Sequence, residues 1–308
     1  MNAAPPRVAV MGAGAVGSYF GAMLAQAGWP VVLIGRAAHV NAVRERGLTL
    51  ERADGTRTVR AAADTEAAAA RGAQLVLLAV KSGDTEAAAQ ALAPHLARDA
   101  LVLCLQNGVD NAERAASHLP CAVAPAIVYV AAALSAPGVV KHSGRGDLVL
   151  GAWPAASGVD IASWAARLAA AGVPCRVSTD LAAELWMKLA LNCAYNAASA
   201  LGRADYGCMM GVPEMRALLL EAIEEVVAVA RASGVALDAE AARAACLALA
   251  PAMPRQVSST AQDLARGRAT EIDHLNGFVA RRAAELGLDA PVNRTLHALV
   301  KLAQAGLA

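Results

Sequence analysis

The chain has no basic run and almost no excess of either charge. Its 308 residues carry 27 Lys and Arg against 26 Asp and Glu, a formal net charge of +1, with the cations scattered. Nucleic-acid binders show a basic excess or stripe, so no nucleic-acid partner is expected. Charged residues make up only 17% and apolar residues 57%, a balance that excludes extended disorder. None of the six cysteines (104, 121, 175, 193, 208 and 246) forms a C-x-x-C pair, and the histidines (39, 95, 118, 142, 274 and 297) lack ligand spacing. No metal site is expected, and the cysteines read as buried, reduced thiols of a cytosolic protein. Residues 8 to 35 lack any charge, which raises a signal peptide or membrane anchor. Glycines at 12, 14, 17, 21 and 28 and Pro30 interrupt that stretch, which suits strand, turn and helix better than a membrane span. The expectation is a soluble, cytoplasmic chain with no membrane partner and length enough for two domains.

What is present first is an alternation of short apolar strand and helix. "RVAVMGAGAVG" reads as a strand ending at Gly12, residues 15 to 27 as a helix stopped near Gly28, and "PVVLIGR" as a second strand. "AQLVLLAV" (73–80) and "ALVLCLQ" (100–106) are continuous apolar runs, suited to strands buried on both faces of a parallel sheet, with a helix between them over 84 to 97. The alanine tract 67–70 reads as helix, "PGVVKHSGRGDLVLG" as a hairpin, 158 to 172 as a helix and "VPCRVS" as a last strand. The pattern predicts an α/β, Rossmann-type doubly wound domain over residues 1–178. From 179 to 308 the chain is helical throughout, with breaks near Gly207–Pro213, Gly234, Pro251–Pro254, Gly267, Gly287 and Pro291. That predicts an all-α C-terminal domain. No internal repeat or low-complexity linker separates the two.

The G-x-G-x-x-G of Gly12, Gly14 and Gly17 follows a strand and opens a helix, the context a dinucleotide site requires. Gly12 permits the tight turn, Gly14 admits a pyrophosphate, and Gly17 allows close helix–strand packing. Ala13, Ala15 and Val16 complete the loop, and the helix N-terminus supplies N–H groups and a positive dipole end. At the end of the second strand, where NAD sites carry an acid, the chain has Arg36 and no carboxylate until Glu45. An arginine suits the 2′-phosphate of NADP; the alternative is a plain surface arginine. Lys81 and Asn107 come after the next two strands, on the edge where open α/β sheets bind ligands, though either could be an ordinary loop residue.

In "ELWMKLALNCAYN" (184–196), Lys188, Asn192 and Asn196 stand four residues apart. On a helix they fall within about 80° of one another, with Glu184 one turn earlier. The stripe is either a solvated face or, in an otherwise apolar helix, a set of groups that need partners such as a polar substrate.

"SSTAQDLARGRATEIDHLNGFVARRAAELG", from Ser258, joins "GAGAVGSYFG", "LLAVKSGDT", "LQNGVDN", "VVKHSGRGDLVLG" and "ELWMKLALNCAYN" in one ordered set. With these the chain resembles the ketopantoate reductase (2-dehydropantoate 2-reductase) family over nearly its whole length. The resemblance implies NADPH-dependent reduction of 2-dehydropantoate to (R)-pantoate, in pantothenate and coenzyme A biosynthesis. It implies that residues 12 to 17, Arg36 and Lys81 bind NADPH, that Asn107 lies between nicotinamide and substrate, and that Ala133 lines the cofactor. Lys188 would be the proton donor, Asn192, Asn196 and Ser259 would hold the substrate, and Glu271 would complete the site near cofactor and substrate. One position departs: the asparagine the family often carries ten residues past the second Asn is here Tyr206, which leaves the identity of the 2-oxo acid open.

The chemistry is coherent. Hydride addition to a ketone makes an alkoxide, which needs a positive charge while it forms and a proton afterwards; a lysine ammonium supplies both. Partial burial would lower the lysine pKa and a carboxylate such as Glu271 would raise it. The substrate is expected in a cleft between the domains. The alternatives are a paralogue acting on another 2-oxo acid, and a non-enzymatic NADP(H) sensor, which has no reason to keep Lys188, both asparagines, Ser259 and Glu271 together. Glu271 and Asp273 could instead face water on an amphipathic helix, and Asp263 reads as a helix-surface or ion-pair residue. The helical half could support a homodimer.

Overall fold

The computed structural model describes residues 4–306. The chain forms two compact units. One runs to Gln106 and resumes from Asp110 to Leu181; the other takes Asn107–Val109 and the chain from Ala182 onward.

The first unit opens with β1 (Val8–Met11), α1 (Ala15–Gln26), β2 (Val31–Ile34) and α2 (Ala37–Arg46). Next come three strands, β3 (Leu48–Arg52), β4 (Gly55–Val59) and β5 (Ala62–Asp64), then β6 (Leu75–Leu78), α3 (Thr85–Leu92), β7 (Leu101–Cys104), α4 (Asn111–Ala116) and β8 (Ala122–Pro125). β1, β2, β5, β6, β7 and β8 make a wholly parallel sheet in the order β5-β2-β1-β6-β7-β8. Counted along the sheet's own strands, this is the 3-2-1-4-5-6 order of a dinucleotide-binding fold.

The apolar runs are continuous because this sheet is buried on both faces. Val8, Val10, Leu75, Leu77, Leu101 and Leu103 point to one side, where they meet Phe20 and Leu24 of α1. Their neighbours Ala9, Val76, Leu78 and Val102 point to the other, against Ala88, Ala89 and Leu92 of α3. Each large aliphatic side chain buried there contributes about 1.5–3 kcal/mol relative to exposure.

The unit also holds a second sheet. β9 (Ile127–Ala136), β10 (Val139–Gly151), α5 (Ile161–Ala170) and β11 (Cys175–Ser178) complete its chain, and the sheet order is β11-β10-β3-β4 with β9 antiparallel to β10. Here the structure corrects the sequence expectation. Residues 137–151 are not a hairpin by themselves; Pro137–Gly138 is the turn between β9 and β10, and Val139–Gly151 is one long strand. Gly144 and Gly146 lie at register shifts against β9, where glycines accommodate bulges rather than reverse the chain. The alanine tract expected as helix is only a 3₁₀ turn, Ala67–Ala70.

The second unit consists of α6 (Leu181–Gly202), α7 (Tyr206–Met210), α8 (Pro213–Ala232), α9 (Ala239–Ala252), α10 (Ser259–Ala265), α11 (Asn276–Glu285) and α12 (Pro291–Ala305). Asp205, Asp238 and Ser258 cap α7, α9 and α10 by accepting from the N–H groups of Cys208, Ala241 and Ala261. Proline opens α8 and α12, where its missing N–H costs nothing. α9 continues through Pro251 and ends one residue later. A buried amide network ties the unit together. Asn276 Nδ2 donates to Cys193 O and to Asn293 Oδ1, both at 2.9 Å, and Asn293 Nδ2 donates to Glu225 Oε2 at 2.8 Å. Glu225 also accepts the N–H groups of Val292 and Asn293 at the start of α12, where a carboxylate meets the positive end of the helix dipole. No helix among the described residues is long and apolar enough to cross a membrane.

Candidate active site

In the first unit, Met11, Ile34 and Leu78 stand side by side in the strand register. The chain therefore leaves β1, β2 and β6 at one edge of the sheet, and the glycine turn, Arg36 and Lys81 all lie just beyond it. Gly12 has φ +99°, and a Cβ there would fall 2.5 Å from Val80 N. A Cβ on Gly17 would fall 2.3 Å from Gly12 O, whereas one on Gly14 would meet nothing within 4 Å. Two glycines are thus required by packing, and the third borders open space at the N-terminus of α1. The N–H groups of Ala15, Val16 and Gly17 belong to the first turn and have no intrahelical partner, and Gly14 places no capping side chain over them. Ala13 is buried under the turn. This cradle fits a pyrophosphate.

Arg36 stands at the N-cap position of α2, makes no side-chain cap there, and is exposed. The nearest acid along that edge by strand order, Asp64 at the end of β5, is taken by Arg44 at 2.9 Å. The edge thus presents a guanidinium where a ribose-binding carboxylate would stand, the arrangement that suits a 2′-phosphate. Lys81 is exposed at the start of a 3₁₀ turn, Ser82–Asp84. Ala133 sits elsewhere in the unit, half-buried on β9 opposite Lys141.

Beneath these loops lies a buried polar chain that sequence reasoning missed. Gln106 Nε2 donates to Thr85 Oγ1 at 3.0 Å, Thr85 Oγ1 to Asn111 Oδ1 at 2.9 Å, and Asn111 Nδ2 to Ser82 Oγ at 3.4 Å. It fixes the loops after β6 and β7 to one another. No local signal marks it, because its members come in two pairs, Ser82 with Thr85 and Gln106 with Asn111, from segments more than twenty residues apart. A second unread group joins α1 to the β9–β10 turn. Gly138 N donates to His39 Nδ1 at 3.1 Å, and His39 Nε2 lies 3.1 Å from Ser18 Oγ. Accepting at Nδ1 requires the neutral Nε2–H tautomer, and burial holds the His39 pKa below its ordinary value.

In the second unit, α6 is an apolar helix with a polar stripe. Leu185, Trp186, Leu189, Ala190, Cys193, Ala194 and Tyr195 are buried, while Glu184, Lys188 and Asn192 are half-buried and Asn196 is buried. The stripe is therefore not a fully solvated face. Ser258 Oγ donates to Asn196 O at 3.0 Å, which sets Ser259, the exposed first residue of α10, next to the far end of the stripe. Asn107 Nδ2 donates to Glu271 Oε2 at 3.3 Å. Glu271 is not on a helix: it precedes a 3₁₀ turn, Ile272–His274, and α11 starts only at Asn276. Glu271 and Asp273 are half-buried, and Asp263 is buried rather than on the helix surface. Tyr206 is buried too, its ring 4.6 Å from that of Tyr195, so the position that departs from the family's asparagine serves the helical core.

Cys104, Cys193 and Cys246 are buried and Cys121 and Cys175 half-buried, but Cys208 is exposed, contrary to expectation. Burial pushes the Cys104 thiol up to about 12 and those of Cys121, Cys175 and Cys246 up to about 11, so these thiols carry little thiolate at neutral pH. Among the described residues no group of three or more His, Cys, Asp or Glu is placed to hold a metal ion.

A doubly wound sheet with an uncapped glycine turn at its switch point, followed in the chain by a helical unit, defines a dinucleotide-binding α/β protein. Two family models refine this: "Ketopantoate reductase PanE/ApbA" matches residues 8–155, and "Ketopantoate reductase PanE/ApbA C terminal" matches residues 180–304. The chain belongs to the ketopantoate reductase family. It is 38% identical to the 2-dehydropantoate 2-reductase of Halobacterium salinarum, over 97% of this chain and 99% of that protein. Among solved structures, a PanE/ApbA family ketopantoate reductase from Ralstonia eutropha JMP134 superposes with a TM-score of 0.92 at 49% identity, covering 98% of this chain and 99% of that one. D-mandelate dehydrogenase in complex with NADH and anilino(oxo)acetate superposes with a TM-score of 0.88 at 25% identity, covering 98% and 99%.

Proposed function

We propose that this chain reduces 2-dehydropantoate to (R)-pantoate with NADPH, the step that feeds pantothenate and coenzyme A biosynthesis. The carrying observation is the stripe of Lys188, Asn192 and Asn196 along the otherwise buried, apolar helix α6. Relatives matched over nearly the whole chain, including those of Halobacterium salinarum and Vibrio cholerae, bear the name 2-dehydropantoate 2-reductase. A cytoplasmic location goes with that activity.

When bound, NADPH supplies the hydride that reduces the 2-oxo carbon. Residues 12 to 17 hold its pyrophosphate, and Arg36 and Lys81 neutralise its phosphates. We assign Ala133 to the cofactor's lining. Asn192, Asn196 and Ser259 hold the carboxylate and hydroxyl groups of the substrate and so keep the carbonyl oriented. As that carbonyl gains negative charge, the Lys188 ammonium stabilises it and then transfers a proton to the oxygen, leaving a neutral amine and a secondary alcohol. Glu271, bonded to Asn107 Nδ2, orients that amide toward the reacting centre.

The test is the fall in NADPH absorbance on adding 2-dehydropantoate, run beside NADH. Rapid decay with NADPH supports the proposal. Tight NADPH binding without decay across a panel of 2-oxo acids would leave the sensor alternative standing. A second reading, reduction of a different 2-oxo acid, is favoured by Tyr206 and by the likeness to D-mandelate dehydrogenase; the same panel distinguishes it.

A further inference from the structure

We infer that one face of α12 is a positioning device for Glu271, acting through Gln304 on the helix and through Asp273 on the segment that the helix holds. Glu271 lies on a non-helical segment, and such a segment holds a reactive group in place only if its own backbone is fixed. Both sides of Glu271 are gripped by the same helix. On the N-terminal side, Thr270 N and Thr270 Oγ1 both donate to Gln304 Oε1, each at 2.9 Å. On the C-terminal side, His297 Nε2 and Lys301 Nζ donate to the two oxygens of Asp273 at 2.6 and 2.7 Å. Arg281 adds a bond to Asp273 O at 3.0 Å. Between them Ile272 is fully buried against Leu296 and Val300 of α12 and Ala197 of α6.

His297, Lys301 and Gln304 keep to the helical repeat and share one face, with Leu296 and Val300 beside them. Residues 270, 272 and 273 therefore turn toward α12. Glu271 directs its carboxylate to Asn107 instead. General scaffolding would need one or two anchors on this segment; what is present is an acceptor for both polar hydrogens of the preceding residue and two cationic or hydrogen-bonding donors on the acid two residues later. Such bracketing determines where the intervening side chain points.

Taking Glu271 as part of the site proposed above, Gln304→Leu and Asp273→Ala should each lower kcat by about tenfold or more, since misplacement by an ångström can cost far more than that. KM and NADPH affinity, the latter read by fluorescence titration, should change little. Gln304→Glu, which keeps an acceptor oxygen, should restore most of the activity. The decisive measurement repeats both variants in a Glu271→Ala background with melting temperatures alongside. If the face acts through Glu271, neither costs kcat anything further there. Equal losses in both backgrounds, losses that track melting temperature, or unchanged kcat would overturn the inference. Should either variant fold poorly, Lys301→Ala, at an exposed residue, asks the same question. If Glu271→Ala alone kept full activity, the assignment of Glu271 would fall first and this inference with it, a result separable from failure of the α12 face alone.

Discussion

Asn107 Nδ2 donates to Glu271 Oε2 at 3.3 Å, across 164 positions of sequence. The bond gives each partner an orientation that neither has from its own loop. The amide gives one N–H to the carboxylate, and a planar amide committed through one N–H has its oxygen set in the same plane. For an amide proposed to lie between nicotinamide and substrate, that bond fixes which way its oxygen points.

Replacing Lys188 with alanine removes both the charge and the proton. General acid catalysis is worth roughly 10²–10⁴-fold, and Lys188→Ala should lower kcat by about that factor. NADPH affinity should be nearly unchanged. Steady-state kinetics with a fluorescence titration of NADPH checks both, and a loss confined to NADPH binding would remove Lys188 from the proton-donating role.

Two glycines of one turn should respond in opposite ways. Gly17→Ala puts a Cβ 2.3 Å from Gly12 O, an overpacking that costs about 1–3 kcal/mol and lowers the melting temperature. Gly14→Ala meets nothing within 4 Å, so the melting temperature should hold while NADPH binding weakens, because the new methyl occupies the path of the phosphates. Differential scanning calorimetry and titration of NADPH separate the two.

Arg36→Ala should raise KM for NADPH about ten- to a hundredfold, the range of a lost charge-assisted hydrogen bond of about 1.5–3 kcal/mol, and leave KM for NADH nearly unchanged. The ratio of kcat/KM for the two coenzymes is the readout. Equal losses with both would show that the guanidinium is not meeting a 2′-phosphate.

His39 gives a pH dependence of stability whose sign is set by its surroundings. Its folded pKa lies below the ordinary 6.5 because of burial, and its Nδ1 accepts from Gly138 N. Above that ordinary value both states are neutral and the group contributes nothing to the slope. As pH falls through it, the unfolded chain takes up a proton that the folded chain refuses, so stability declines. Denaturant midpoints at pH 7.5 and 5.5, about one unit either side of the ordinary histidine value, should differ more for the wild type than for His39→Gln. Glutamine can keep both hydrogen bonds without titrating in that range. Equal differences would show that His39 is free to protonate in the folded state.

Local patterns in the amino-acid sequence were enough for four of the six parallel strands (β1, β2, β6 and β7), the glycine turn, the missing acid at Arg36 and the α6 stripe. Each depends on spacings of a few residues, and burial on both faces of a sheet writes itself into a run such as Leu75–Leu78. The second sheet was much less legible. β4, with the sequence Gly-Thr-Arg-Thr-Val, is mostly exposed, and an exposed strand carries no apolar run. Tyr206 could be seen to depart from a pattern, but only packing against Tyr195 showed where its ring goes. The bond from Asn107 to Glu271, the buried chain from Gln106 to Ser82 and the grip of α12 on residues 270 to 273 were decided by tertiary structure alone. They join groups brought together by chain crossings, and a hydrogen bond between distant loops leaves no periodicity in either one.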